Sequence, residues 1–94
     1  MTLDQKLAVI VAASTFVSKV YEGSLGNCLC NLCLFSKDAI EVKFQYPKTL
    51  MIAEIIDRTF KESFQAFKTH DNIKVHRDVI GRSTLVVTYY IFFD

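Results

Sequence analysis

Apolar residues recur along this chain with two periods, and the switches between them mark out its segments. From Ile40 to Tyr46 they alternate: Ile40, Val42, Phe44 and Tyr46 are set against Glu41, Lys43 and Gln45, the pattern of a strand with one buried and one wet face. Further on they return every third or fourth position. Ile52, Ala53, Ile56, Phe60, Phe64 and Phe67 gather on one side of a helix, and Glu54, Arg58, Lys61, Glu62 and Gln65 on the other. Pro47 suits the first turn of this second helix, which the pattern extends to about Thr69. Glu54 with Arg58, and Asp57 with Lys61, add ion pairs one turn apart, each worth roughly 0.2–0.5 kcal/mol, and imply no site.

A first helix is predicted over residues 3 to 21. Thr2 and Gln5 have capping-box spacing, Asp4 favours the dipole of the first turn, and Gly23 with Gly26 ends the segment. Its apolar residues are not confined to one stripe: Leu7, Val9, Ile10, Val11, Phe16, Val17 and Val20 cover most of the circumference, which predicts burial on more than one side.

Residues 28 to 35 and the Ile40–Tyr46 segment flank SKDA and form a hairpin. The first of these strands is apolar on both faces, so its register is open. A three-residue loop, the favoured choice, turns Cys30, Leu32 and Leu34 inward, whereas two or four residues select Leu29, Cys33 and Phe35. After Asp71 and Asn72 the period of two resumes, with Ile73 and Val75 against Lys74 and His76, then a turn around Ile80, Gly81 and Arg82. In the last strand, Leu85, Val87, Tyr89, Ile91 and Phe93 make one face, and Val86, Tyr90 and Phe92 stand with Thr84 and Thr88 on the other. A strand so apolar is an aggregation hazard at an open edge, so it is expected at the centre of the sheet or paired with a second copy.

The order helix, hairpin, helix, hairpin predicts a single α+β domain over residues 1–94: αββαββ, a four-stranded antiparallel sheet with both helices on one face. A shift of 45 residues aligns the two halves, matching Ile40, Val42 and Phe44 to Leu85, Val87 and Tyr89, which admits a pseudo-twofold. Shared periodicity alone also generates such a match.

Composition narrows the function classes. Lys and Arg number 11 against 10 Asp and Glu, a formal charge of +1 that supplies no long-range field for a polyanion or an acidic membrane. Three cysteines cannot all pair within one chain, which favours a reducing cytoplasm. Asp4 and the short apolar run Leu7–Ala13 argue against a signal peptide, and Ser14, Ser18 and Lys19 interrupt the run too early for a membrane span.

Cys28, Cys30 and Cys33 raise zinc or redox chemistry. A structural zinc site wants four ligands, and His70 or His76 would have to complete it; on a strand, Cys33 points away from the other two. Redox C-x-x-C pairs work at helix N-termini, and this pair lies in an apolar β run. Packing of the thiols is the preferred reading, with no metal and no cofactor expected. A cysteine nucleophile partnered by His70 or His76 has no specific support; His76 reads as solvent-facing, and His70 as complementing a helix terminus. None of the phosphate-loop, dinucleotide, nucleophile-elbow or zinc-protease motifs occurs, so an enzyme is not expected.

The remaining signal is apolar surface in excess of what two helices and one sheet can cover. It predicts a protein partner and self-association, a homodimer with the last strand and the first helix at the interface and Val86, Tyr90 and Phe92 as anchors. Such a module suits an inhibitor or adaptor of the kind phages and viruses encode. The alternative is a small nucleic-acid-binding regulator using the stretch Lys68 to Arg82, with Lys74, Arg77 and Arg82 as contacts.

Overall fold

The computed structural model describes residues 2–67 and 72–93. Helix α1 spans Leu3–Gly23 and opens on the expected capping box: the Thr2 hydroxyl accepts from the Gln5 N–H at 3.2 Å, and the Gln5 side chain accepts from the Thr2 N–H at 2.8 Å. It stops where Leu25 and Gly26 take positive φ, +55° and +77°, turning the last carbonyls of the helix onto the Ser24, Leu25 and Gly26 amides. Strand β1 (Leu29–Ser36) then pairs with β2 (Ala39–Pro47). A short 3-10 turn, Lys48–Leu50, leads to α2 (Ala53–Ser63). A second 3-10 turn, Gln65–Phe67, follows, and β3 (Ile73–Ile80) and β4 (Thr84–Phe93) complete the chain.

The αββαββ order and the four-stranded antiparallel sheet are as the sequence predicts, with strand order β1-β2-β4-β3 and both helices on one face. The apolar last strand, β4, is central. Its pairing with β2 has the register a twofold would impose: Ile40 faces Ile91 and Tyr46 faces Leu85, and Ile40 with Leu85, like Tyr46 with Ile91, are related by the 45-residue shift. The outer pairings depart from that symmetry. β1 meets β2 through a turn at Lys37 and Asp38 with a bulge between Leu34 and Ser36, whereas β3 meets β4 through Gly81, Arg82 and Ser83.

The favoured hairpin register holds in the regular part of β1, where Cys30 opposes Phe44, Leu32 opposes Val42 and Leu34 opposes Ile40, but Cys30 and Leu32 are only half-buried and Leu34 is exposed rather than in the core. The turn itself is shorter than the expected loop, and the bulged residue makes up the difference.

Two expectations are corrected. Pro47 ends β2, where it pairs with Thr84, rather than opening a helix. Met51 at φ +52° breaks the chain direction, so α2 begins at Ala53 and closes at Ser63, well short of Thr69, which lies outside the described residues. Helical periodicity continues through Phe64 and Phe67 because a 3-10 turn keeps them on the same side. The other correction concerns α1, which buries a single face: Val9, Ala12, Ala13, Phe16 and Val20 enter the core, while Leu3, Leu7, Val11 and Tyr21 stay exposed.

Phe16 is the hub of that core. Its ring meets Phe44 edge-on at 4.9 Å, Tyr89 at 5.2 Å and Phe60 at 5.5 Å, joining α1 to β2, β4 and α2. Burying rings of this size contributes about 2–3 kcal/mol each, with more from the edge-to-face geometry.

Candidate interaction surface

Side chains alternate across a strand, so each strand sends half of its residues away from the helices. On this open face stand Leu29, Asn31 and Cys33 of β1; Glu41, Lys43 and Gln45 of β2; Val86, Thr88, Tyr90 and Phe92 of β4; and Lys74, His76, Asp78 and Ile80 of β3. Phe35, next in the alternation after Leu29, Asn31 and Cys33, stands on the same face, where its ring meets Tyr90 edge-on at 5.6 Å. On the other side His76 stacks along Tyr90 at 6.3 Å. The outcome is an aromatic ridge from Phe35 through Tyr90 to His76, with Phe92 beside it.

The three anchors named from the sequence therefore share this face. Val86 and Tyr90 are half-buried by strand neighbours, and Phe92 is 43% exposed. The structure adds Phe35, 57% exposed, and Ile80, 65% exposed, to the apolar groups of this face. The favoured register of the β1–β2 hairpin, with Cys30, Leu32 and Leu34 inward, already turns Phe35 to this face. Polar groups interrupt the surface: Lys43 lies 3.6 Å from Glu41, and His76 Nε2 lies 3.3 Å from the Asp78 carboxylate. These pairs are solvent-exposed in part and worth at most about 1 kcal/mol each.

The basic residues of the alternative reading are dispersed. Lys74 stands on the open face, whereas Arg77 points to the helix side, with Nε 3.5 Å from Asp57 Oδ1 and its guanidinium 5.8 Å above the Tyr89 ring. Arg82 lies in the β3–β4 connection, roughly 26 Å along the strand from Lys74 at ~3.3 Å per residue. Lys68 and His70 lie outside the described residues. Asp57 also accepts a hydrogen bond from the Tyr89 hydroxyl at 2.8 Å. Burial, then the hydrogen bond to Asp57, pushes the Tyr89 phenol well above its ordinary pKa and keeps it neutral. Arg77 is thus part of a packed cluster joining β3, β4 and α2.

Cys28 and Cys30 lie on the helix side and Cys33 on the open face, as strand alternation requires. Cys28 is fully buried, and desolvation, reinforced by the Cys30 thiol beside it, pushes its pKa up to about 12. Burial likewise raises Cys30. Thiols held protonated in this way are poor nucleophiles and poor metal ligands. His76 is on β3, at the opposite edge of the sheet from β1, and does not reach them. Among the described residues no group of His, Cys, Asp and Glu is arranged to hold a metal ion.

One cavity of about 350 Å³ opens at the end of the sheet between Tyr46, Lys48, Met51, Ala53, Glu54 and Leu85. The Tyr46 hydroxyl is buried without a hydrogen-bond partner among the described residues, and Lys48 and Glu54 are the charged side chains of the cavity lining. No helix among the described residues is long and apolar enough to cross a membrane. No known protein family matches the chain, and no curated protein or solved structure is similar to it.

Proposed function

We propose that this protein is a non-enzymatic module that works by contact with other polypeptides, a homodimer acting as an inhibitor or adaptor. The observation that carries the reading is the open sheet face, where Phe35, Tyr90, Phe92, Val86 and Ile80 present aromatic and aliphatic surface that no element among the described residues covers. Aromatic residues backed by a rigid sheet, with charged pairs around them, are the composition expected of a recognition patch. The separation of Lys74 from Arg77 onto opposite faces of β3 gives a nucleic-acid reading less support, because a phosphate track needs its cations on one surface.

The experiment is affinity capture from the native cell with immobilised protein, followed by rebinding of the purified captured protein. A partner that binds the wild type and is lost on Phe35→Glu with Phe92→Glu supports the proposal. Capture of nucleic acid, released by salt and weakened by Lys74→Ala and Arg82→Ala, would replace it with the alternative.

A further inference from the structure

Strand β1 has a neighbour on one side only, so its outer backbone edge is left without a partner strand. No charged residue occurs between Glu22 and Lys37, and β1 contains no proline. The bulge after Leu34 leaves Leu29–Leu34 as a regular template for strand addition.

A second feature lies along the same edge. Leu3, Leu7, Ile10, Ser14, Val17 and Tyr21 follow one another at alternating steps of four and three, an uncharged stripe down α1 with the spacing of a helix–helix seam. This stripe is on the β1 flank of the helix. Ile10 shares a hollow with Leu32, Leu34 and Ile40, and Lys6 binds Asp38 of the β1–β2 turn at 2.6 Å, while Gly23 faces Ile55 of α2. Ile10 and Val17 are half-buried, but Leu3 is 72% exposed, and Leu7, Tyr21 and the adjacent Leu34 are exposed as well.

We infer that a second copy of this chain covers this edge: β1 pairs antiparallel with its counterpart about a twofold axis perpendicular to the sheet, and α1 packs antiparallel on α1. The inference rests on the reading that the chain associates with itself, and it says where. Strands lie about 4.8 Å apart, so a helix riding over the β1–β2 pair meets its symmetry mate at roughly 10 Å, a normal helix packing distance. Phe16 against Phe44 puts α1 over that pair. The axis keeps both helix layers on one side, so residues opposed across the seam must share a face, and the axis must lie midway between one residue of β1 and the same residue of the other copy. Leu32, beside Ile10, is at the middle of the regular segment. The stripe on α1 is symmetric about Ala12, about 3 Å along the helix from Ile10, with Leu3 set against Tyr21, Leu7 against Val17 and Ile10 against Ser14 of the other copy. A peptide from another protein could satisfy the backbone of β1, yet it would leave the α1 stripe in water. A second copy covers both, and no like charges meet.

Sedimentation mass across the micromolar range, with circular dichroism as the control for folding, tests the seam. The wild type is expected at twice the chain mass, Leu7→Lys with Leu34→Lys at the monomer mass, and Phe92→Glu still at the dimer mass. Amide exchange on the unaltered protein supplies a readout free of substitutions: β1 amides should slow as concentration rises, and β3 amides should not change. A wild-type monomer throughout, with β1 and β3 exchanging alike, removes self-association from the functional reading as well as the seam. A dimer dissolved by Phe92→Glu but indifferent to the β1 and α1 changes overturns the seam alone.

Discussion

The two edges of the sheet are strands of equal length and opposite character. β3 carries Lys74, His76, Arg77 and Asp78 along its exposed length, the charged residues that discourage another strand from adding to an edge. β1 carries none. On their helix-facing sides the contrast reverses: α1 shelters Cys30 and Leu32, whereas Val75 and Val79 of β3 are left exposed because the short α2 does not extend over them. One edge is protected by charge and anchored by the Arg77–Asp57–Tyr89 cluster; the other is neutral and flanked by a neutral helix stripe. The lesson is that unprotected apolar surface matters most where backbone and side-chain valences are open together.

The largest test of this contrast is Gly81→Ala. Gly81 has φ +115°, and a methyl group there would stand 1.9 Å from the Thr84 carbonyl oxygen, so the β3–β4 turn must rearrange. A loss of about 3 kcal/mol or more in denaturant unfolding is expected, measuring what attachment of the charged edge contributes. Near the neutral edge, Cys28→Ser places a hydroxyl in the buried thiol site and should cost about 1–3 kcal/mol, while Cys33→Ser on the open face should stay within about 0.5 kcal/mol. Thiol-reagent labelling gives the same order without substitution, Cys33 first and Cys28 last.

Asp57→Asn weakens the charge-assisted bonds to Tyr89 and Arg77 that fasten β3 and β4 to α2, for an expected loss of about 1–2 kcal/mol by thermal melting. The smallest effect is expected from Val79→Lys, which adds one more charge to the already charged edge: stability should change by less than about 0.5 kcal/mol and the sedimentation mass not at all. A pH series separates the edges again. The folded state holds the Cys28 proton up to about pH 12 whereas the unfolded thiol releases it near 9, so this contribution is intact below 9 and declines as pH rises from there through 12. Cys28→Ala should flatten that decline.

The sequence reading reached the architecture because the period-two segments at Ile40–Tyr46 and Leu85–Phe93 are unambiguous and the capping box at Thr2 fixes where α1 begins. It overran α2 because hydrophobic spacing is nearly the same in a short helix followed by a 3-10 turn as in one long helix, and Met51 carries no local signal for its left-handed backbone. Val86, Tyr90 and Phe92 were assigned to one face on strand alternation alone, and the structure has them on that face. The first helix was likewise expected at an interface, but the bare edge of β1 was not, although the absence of charge from Gly23 to Ser36 was available to draw attention to it.

What the sequence determined by itself was the order of elements and the inward faces of β2 and β4, because these follow from local period and from the cost of leaving apolar groups in water. Tertiary structure decided the rest. Which strands became edges, which of two registers β1 took and which flank of α1 was left bare depend on how elements distant in sequence pack around Phe16, and the described helices cover only part of the sheet.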